Sequence, residues 1–305
     1  MKQAVGDSSI SSPPHHVDPS TSRQRWLGIA AMLLSAIAFG WLGVFARLAY
    51  ADGAEPITVL CLRFSIAAVV MFGILRVRGE RLPRGKLLIG LILLGGIGYV
   101  AQSLAYFVAL TMASAGLVAV LLYLYPGLVT IISVVFFKER LTPRIMLALV
   151  LALAGSALAI GPIGGGKPLG IIFAISGAVI YAIYITAGSR VTAQAGAIPS
   201  STVIMSAAAV VYLGIVLARG PVWPASIDGW LAIIGIALIS TVLAIVMFFI
   251  GLERIGPTAG STISALEPLV SVGAAVVVLH EPISLWQLGG GLLILAAVVL
   301  LARNA

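Results

Sequence analysis

Ten stretches of this chain run apolar for about 20 residues each, the length a helix needs to cross the hydrocarbon core of a bilayer. They cover residues 26–49, 56–75, 86–109, 113–136, 143–160, 168–189, 198–218, 228–251, 257–279 and 284–301. The connections are short and hold helix-breaking or capping residues, among them Asp52-Gly53, Pro83, Gly164-Gly165-Gly166, Pro221 and Pro224. Thr142-Pro143 reads as an N-cap followed by a first helical position, and Ser284 takes the same place before the tenth stretch. The pattern predicts an all-α polytopic membrane protein with ten transmembrane helices.

A repeat organises these spans. Residues 106–144 recur 142 positions later without a gap: Phe107 falls on Phe249, Leu110 on Leu252, Pro126 on Pro268, Glu139 on Glu281 and Thr142 on Ser284. The same offset lays Leu27-Gly28 on Leu169-Gly170 and Phe39 on Tyr181. This period is far longer than that of a solenoid. It divides the chain into a polar tail, 1–25, a first five-span repeat, 26–162, and a second, 163–303. Five is odd, so the second copy enters the membrane from the opposite face and the two repeats are inverted. Inverted repeats are a common construction of secondary transporters, which hold substrate near the midplane between the halves.

Charge sets the orientation. With the N-terminus cytoplasmic, 14 of the 18 Lys and Arg residues fall on that side, against Arg47, Lys167 and Arg219 on the other. Arg63 lies within the second span. The bias predicts that both termini are cytoplasmic. Composition agrees with a bilayer solvent. Only 9% of residues are charged and the mean hydropathy is +1.16, whereas a soluble domain carries about 25% charged residues. The net charge of +8 would suggest nucleic acid in a soluble protein; here membrane topology accounts for it, and no nucleic-acid partner is expected. Cys61 is the single cysteine and has no internal disulfide partner. The tail lacks the apolar core of a signal peptide and reads as a disordered cytoplasmic segment. His15 and His16 within it read as inert rather than metal-binding.

Polar and aromatic residues inside the spans are the candidate chemistry. Tyr99, Gln102, Ser103 and Tyr106 share one face of the third span. They read either as a cavity wall that binds a zwitterion and an aromatic ring, or as polar glue between helices. Tyr181 and Tyr184, with Gly177 and Gly188, share a face of the sixth span, where cavity and core roles stand level. Trp41, with Ser35 and Phe39, is a possible wall residue of the first span. Glu267, on a face with Ser264 and Ser271, is a carboxylate near the centre of the ninth span. It can bind an ammonium group, carry a coupling proton, or pair structurally with Arg63. Pro126 and Pro268 each remove a backbone donor and mark hinges or tolerated kinks. Glu139 and Glu281 read as interfacial structural residues. Gly155, Ala159 and Gly289 to Gly291 suit close packing of the fifth and tenth helices, or a dimer contact. The run from Gly161 to Lys167 has P-loop spacing, but Pro168 replaces the required Ser or Thr and no strand precedes it. With no HExxH, no Cys/His cluster and no nucleophile–base pair, neither a metal nor a cofactor is expected, and a polytopic membrane enzyme is disfavoured.

The L-Y-P…E-R-L-T run (Leu124, Tyr125, Pro126, Glu139, Arg140, Leu141, Thr142) resembles the end of the fourth helix in EamA-domain proteins of the drug/metabolite transporter superfamily. The L-E-P…H-E-P-I-S run (Leu266, Glu267, Pro268, His280, Glu281, Pro282, Ile283, Ser284) resembles its second copy. The resemblance covers about residues 27–302 and is narrowest to YddG-type bacterial amino-acid exporters. His280 stands where the family usually has Gly, with no functional consequence expected. The resemblance implies that the third and fourth helices of each half line the pathway. It also implies a bacterial inner-membrane protein, monomeric or dimeric, that exports small metabolites by alternating access. Amino acids, aromatic or apolar ones among them, are the expected substrates. Members of the superfamily also carry purines, sugars, nucleotide sugars and cationic drugs, so a multidrug or other metabolite exporter is the alternative.

Overall fold

The structure is a computed structural model that describes residues 19–110, 112–113, 115–160, 166–280 and 284–302. The first span comprises α1 (Pro19–Gly40) and α2 (Leu42–Ala51), the second α3 (Pro56–Val77), and the third α4 (Lys86–Leu93) and α5 (Val100–Leu110). The fourth comprises α6 (Ala115–Leu122) and α7 (Tyr125–Phe137), and the fifth is α8 (Pro143–Ile160). In the second half come α9 (Pro168–Ala195), α10 (Ala197–Arg219), α11 (Ile227–Ala237), α12 (Ala244–Ser264), α13 (Glu267–Leu279) and α14 (Leu285–Ala302). The region Ile227–Ser264 is helical almost throughout its 38 residues. At 1.5 Å per residue it would be about 57 Å long, nearly twice the bilayer core. Gly256, at φ 78°, breaks the path, and Pro257 starts the ninth span, so the helical path crosses ten times.

Local chemistry sets the ends. Thr142 Oγ1 accepts from the Ile145 N–H at 3.3 Å. Ser284 and Gln287 cap reciprocally, the Ser284 N–H donating to Gln287 Oε1 at 2.8 Å and the Gln287 N–H to Ser284 Oγ at 3.2 Å, which is a capping box. Lys138 and His280, one repeat apart, both end their helices at positive φ, 53° and 54°. Pro19 opens α1, so residues 19–25, read from sequence as part of the tail, continue the first helix: a proline suits the first turn, and the residues after it hold no breaker. Residues 1–18, Gly161 to Gly165 and Glu281 lie outside the described residues.

Packing follows the repeat. The first span of each half lies along the third span of the other, α1 on α12 and α9 on α5, while α3 packs on α10 and α8 on α14. This exchange is what two inverted repeats produce about an axis in the membrane plane. Outward-facing Val77, Leu217, Phe136 and Leu285 are 73–89% exposed and form part of the lipid surface. Within the bundle, small residues let backbones touch. A Cβ on Gly155 would stand 2.8 Å from the Gly290 carbonyl, and one on Gly290 would press on Ala159. Gly155, Ala159 and Gly290 are therefore used inside the monomer, whereas Gly289 faces open space.

Turns at the two ends tie the halves. At one end, the Ser226 N–H donates to Asp52 Oδ2 at 2.7 Å, holding that carboxyl below its usual range, and the Val222 N–H donates to Thr58 Oγ1 at 3.0 Å. At the end carrying Arg25 and Leu301, Thr258 Oγ1 donates to Glu139 Oε2 at 2.8 Å. Glu139 thus links the first half to the start of the ninth span.

The glycine contacts predict an asymmetry between neighbours. Gly290→Val should cost about 1–3 kcal/mol by overpacking and lower the melting temperature in detergent, while Gly289→Val should leave it unchanged. Equal effects would mean that α8 and α14 do not meet at Gly290.

Candidate functional site

The spans break at repeat-equivalent places. α6 stops at Leu122 and α7 starts at Tyr125; α12 stops at Ser264 and α13 starts at Glu267. Pro126 and Pro268 are the second residues of the new helices and offer no N–H to the carbonyl one turn back. The hydrogen-bond ladder is interrupted at each place, while Leu124, Ala265 and Leu266 keep right-handed α dihedrals. Glu267 opens α13, where the helix terminus favours negative charge. Two π-helical segments, Leu94–Tyr99 and Leu238–Leu243, interrupt the third and eighth spans. π segments of this kind are frequent at functional sites.

Both π segments converge on Arg63, which is 4% exposed. Its Nε donates to Thr241 Oγ1 at 2.6 Å, and its Nη2 donates to Tyr99 Oη at 3.1 Å and to the Ser240 carbonyl at 3.4 Å. Tyr99 and Thr241 are one repeat apart, so Arg63 sits where equivalent residues of the two halves meet. The Arg63–Glu267 ion pair considered from sequence is not formed. The guanidinium is satisfied by hydroxyl and carbonyl oxygens, and Glu267 stands at a different helix break.

A column of tyrosines runs between these two charges. Tyr99 packs edge-to-face on Tyr184 at 5.4 Å between ring centroids, and Tyr184 stacks on Tyr181 at 6.0 Å. Tyr181 meets Tyr125 edge-to-face at 4.8 Å, and Tyr125 meets Tyr123 at 6.1 Å. The Tyr123 hydroxyl donates to Glu267 Oε2 at 3.5 Å. Tyr125 is the repeat counterpart of Glu267, so this end of the column also joins equivalent positions. Gly177 of α9 faces the backbone of Gln102 and Tyr106 of α5 with room for a methyl group, whereas Gly188 makes room for Phe249.

Three polar atoms at the Glu267 end are buried without a hydrogen-bond partner: Tyr125 Oη, Ser264 Oγ and Glu267 Oε1. Ser103, by contrast, is spent on its own helix, donating to the Tyr99 carbonyl at 2.9 Å. Gln102 and Tyr106 are half-buried on the same α5 face. Tyr106 packs with Ala109, Val118 and Ala174 and lies within electrostatic reach of Tyr123. Trp41 falls apart from the column. It marks the break between α1 and α2, stacks on Phe45 at 5.7 Å and packs against Ala274 and Ala275. A cavity of about 400 Å³ opens at the end of the bundle that carries Glu139; Arg25, Arg254, Ile255, Ala259 and Ile263 also line it. Ile263 is one helical turn before Glu267. The sequence reading missed Tyr123 and Tyr125 as site residues, although their place just before Pro126 signals the break.

Inverted five-helix repeats broken near the middle of their spans are the architecture of a secondary transporter. The chain belongs to the EamA-like transporter family, whose pattern matches residues 26–161 and again residues 168–303. It is 26% identical to the uncharacterized transporter YcbK of Bacillus subtilis (strain 168) over 288 residues, covering 90% of this chain and 92% of that one. It is 28% identical to the aromatic amino acid exporter YddG of Ancylobacter novellus over 250 residues, covering 77% and 81%. One crystal structure superposes with a TM-score of 0.78 at 24% identity over 93% of this chain and 98% of the other, a likeness of fold. The protein is a multi-pass membrane transporter.

The hydrogen bonds separate the two buried ionisable groups energetically. Arg63→Gln should destabilise by about 1.5–3 kcal/mol, because it strips charge-assisted hydrogen bonds from a buried network. Glu267→Gln should leave the melting temperature unchanged or higher, since one carboxylate oxygen has no partner to lose. A large loss in Glu267→Gln that a second Arg63→Gln change repairs would restore the ion pair.

Proposed function

We propose that the protein exports small amphoteric metabolites, amino acids with aromatic or apolar side chains foremost, by alternating access between its inverted repeats. The observation that carries this reading is the tyrosine column at the repeat interface, with a cation at one end and a carboxylate at the other. Its ring faces suit an apolar or aromatic side chain. Its carboxyl end suits a substrate that bears an amine better than a neutral sugar. Tyr99, Gln102, Tyr106, Tyr181, Tyr184 and Glu267 form the substrate face, and Trp41 acts from the break in the first span. Pro126 and Pro268 are the hinges about which the broken spans bend. Arg63 shapes the site by holding the two π segments together. The bias of Lys and Arg supports cytoplasmic termini in a bacterial inner membrane. Use of Gly155, Ala159 and Gly290 within the chain supports a monomer.

Reconstituted protein tests this directly. Liposomes loaded with unlabelled phenylalanine or leucine should accumulate the labelled amino acid by counterflow, and aspartate or lysine should not exchange. Repeating the assay across a pH gradient separates facilitated from proton-coupled transport. Counterflow of hydrophobic organic cations with none of any amino acid would replace this reading with that of a multidrug exporter.

A further inference from the structure

The unpartnered oxygens at the Glu267 end of the column are unusual. Buried polar side-chain atoms are almost always hydrogen-bonded, and each exception needs an explanation. Other orphans in this bundle are hydroxyls alone: Ser133, Ser156, Tyr212 and the adjacent Ser200 and Ser201. Here two hydroxyls and a carboxylate oxygen gather at one pair of helix breaks. Tyr125 is 1% exposed and Ser264 0%. The Tyr125 and Ser264 hydroxyls lie close enough to interact with each other, although their geometry falls short of a hydrogen bond, and Tyr125 is within electrostatic reach of Glu267. Glu267 Oε2 receives the Tyr123 hydroxyl, which leaves Oε1 as the open acceptor. The Tyr123 and Tyr181 rings flank the group through their contacts with Tyr125.

The chemistry of these atoms selects a ligand. A primary ammonium carries three N–H donors and no acceptor. A carboxylate oxygen and two hydroxyl oxygens offer it one acceptor each, and adjacent tyrosine faces attract a cation. A hydroxyl ligand could give the open Glu267 oxygen one uncharged hydrogen bond and has no donors for the other two oxygens, and a carboxylate ligand would meet it with like charge. We infer that Glu267 Oε1, Tyr125 Oη and Ser264 Oγ form a tripod for a primary ammonium group, so that the transported molecule is recognised by its amine and enters as a cation or zwitterion. This rests on the export reading for the identity of the site, but not for the chemistry of its ligand.

Equilibrium binding to the purified protein, read by thermal shift and by titration, tests the tripod with four probes. They are phenylalanine, phenethylamine (amine without carboxylate), phenyllactate (hydroxyl in place of amine) and the N-trimethyl derivative of phenylalanine. Phenylalanine and phenethylamine should both bind. Phenyllactate and the trimethyl derivative should bind at least about tenfold more weakly, for want of the charge-assisted donors. Glu267→Gln should weaken both amines about tenfold, and Tyr125→Phe and Ser264→Ala, which keep the shape of the site, by several-fold each. The tripod is overturned if neither amine binds the wild type, if phenyllactate binds as well as phenylalanine, or if the three variants bind like the wild type. It is also overturned if sodium ions, rather than amines, raise the melting temperature in a Glu267-dependent way. The export reading fails separately: tripod-dependent binding of phenethylamine with no amino-acid counterflow would remove amino-acid export and leave the tripod standing.

Discussion

A bilayer offers no water to a free backbone group, so a helix inside it can stop only where protein or a lined cavity takes over the hydrogen bonding. The architecture of this transporter follows from that constraint. Each half interrupts its fourth span near the middle, where Tyr125 and Pro126 in one half and Ala265 and Leu266 in the other are buried, while Leu124 is exposed. Residues that would be costly against lipid gather at these places. Glu267 stands at a fresh helix N-terminus, Tyr123 and Tyr125 cover the opposite break, and Arg63 ties one π segment to the other. The site is the place where the repeated fold departs from continuous helix, and the inversion of the repeats brings these departures together.

The repeat is exact at its fourth-span breaks and unequal elsewhere and in its chemistry. α7 and α13, and likewise α8 and α14, begin and end 142 positions apart. Yet Tyr125 is matched by Glu267, Tyr99 by Thr241, and Arg63 by Met205. A symmetric scaffold therefore carries one carboxylate and one guanidinium close to its pseudo-symmetry axis. The first span is broken at Trp41 while its counterpart α9 runs unbroken for 28 residues.

Much of this was legible in the sequence because it depends on local or periodic features. The spans follow from apolar length, the inversion from an odd span count, and the caps at Thr142 and Ser284 from residue type. The shared faces of the third and sixth spans follow from helical spacing. The relation of Arg63 to Glu267 was not legible: sequence gives each residue a depth, but not the direction it faces once ten helices are packed. Of the two π segments, Leu94–Tyr99 holds three glycines, but the second carried no local mark. Leu238–Leu243 has neither glycine nor proline, and its Thr241 hydroxyl is shared between the Ile236 carbonyl and Arg63, which lies 178 residues away. Trp41 was placed at a plausible depth, but packs on α13 rather than on the tyrosines. Tyr123 and Tyr125 were within reach of sequence reasoning, since a proline that starts a new helix leaves the residues before it at the break.

The central claim is that the column between the repeats is reached from each side of the membrane in turn. A single cysteine at Gln102, in a Cys61→Ser background, reports on it directly. An impermeant thiol reagent should label it both in right-side-out and in inside-out vesicles, and a transported substrate should slow both reactions. Labelling from one side only, under every substrate condition, would contradict alternating access at this site.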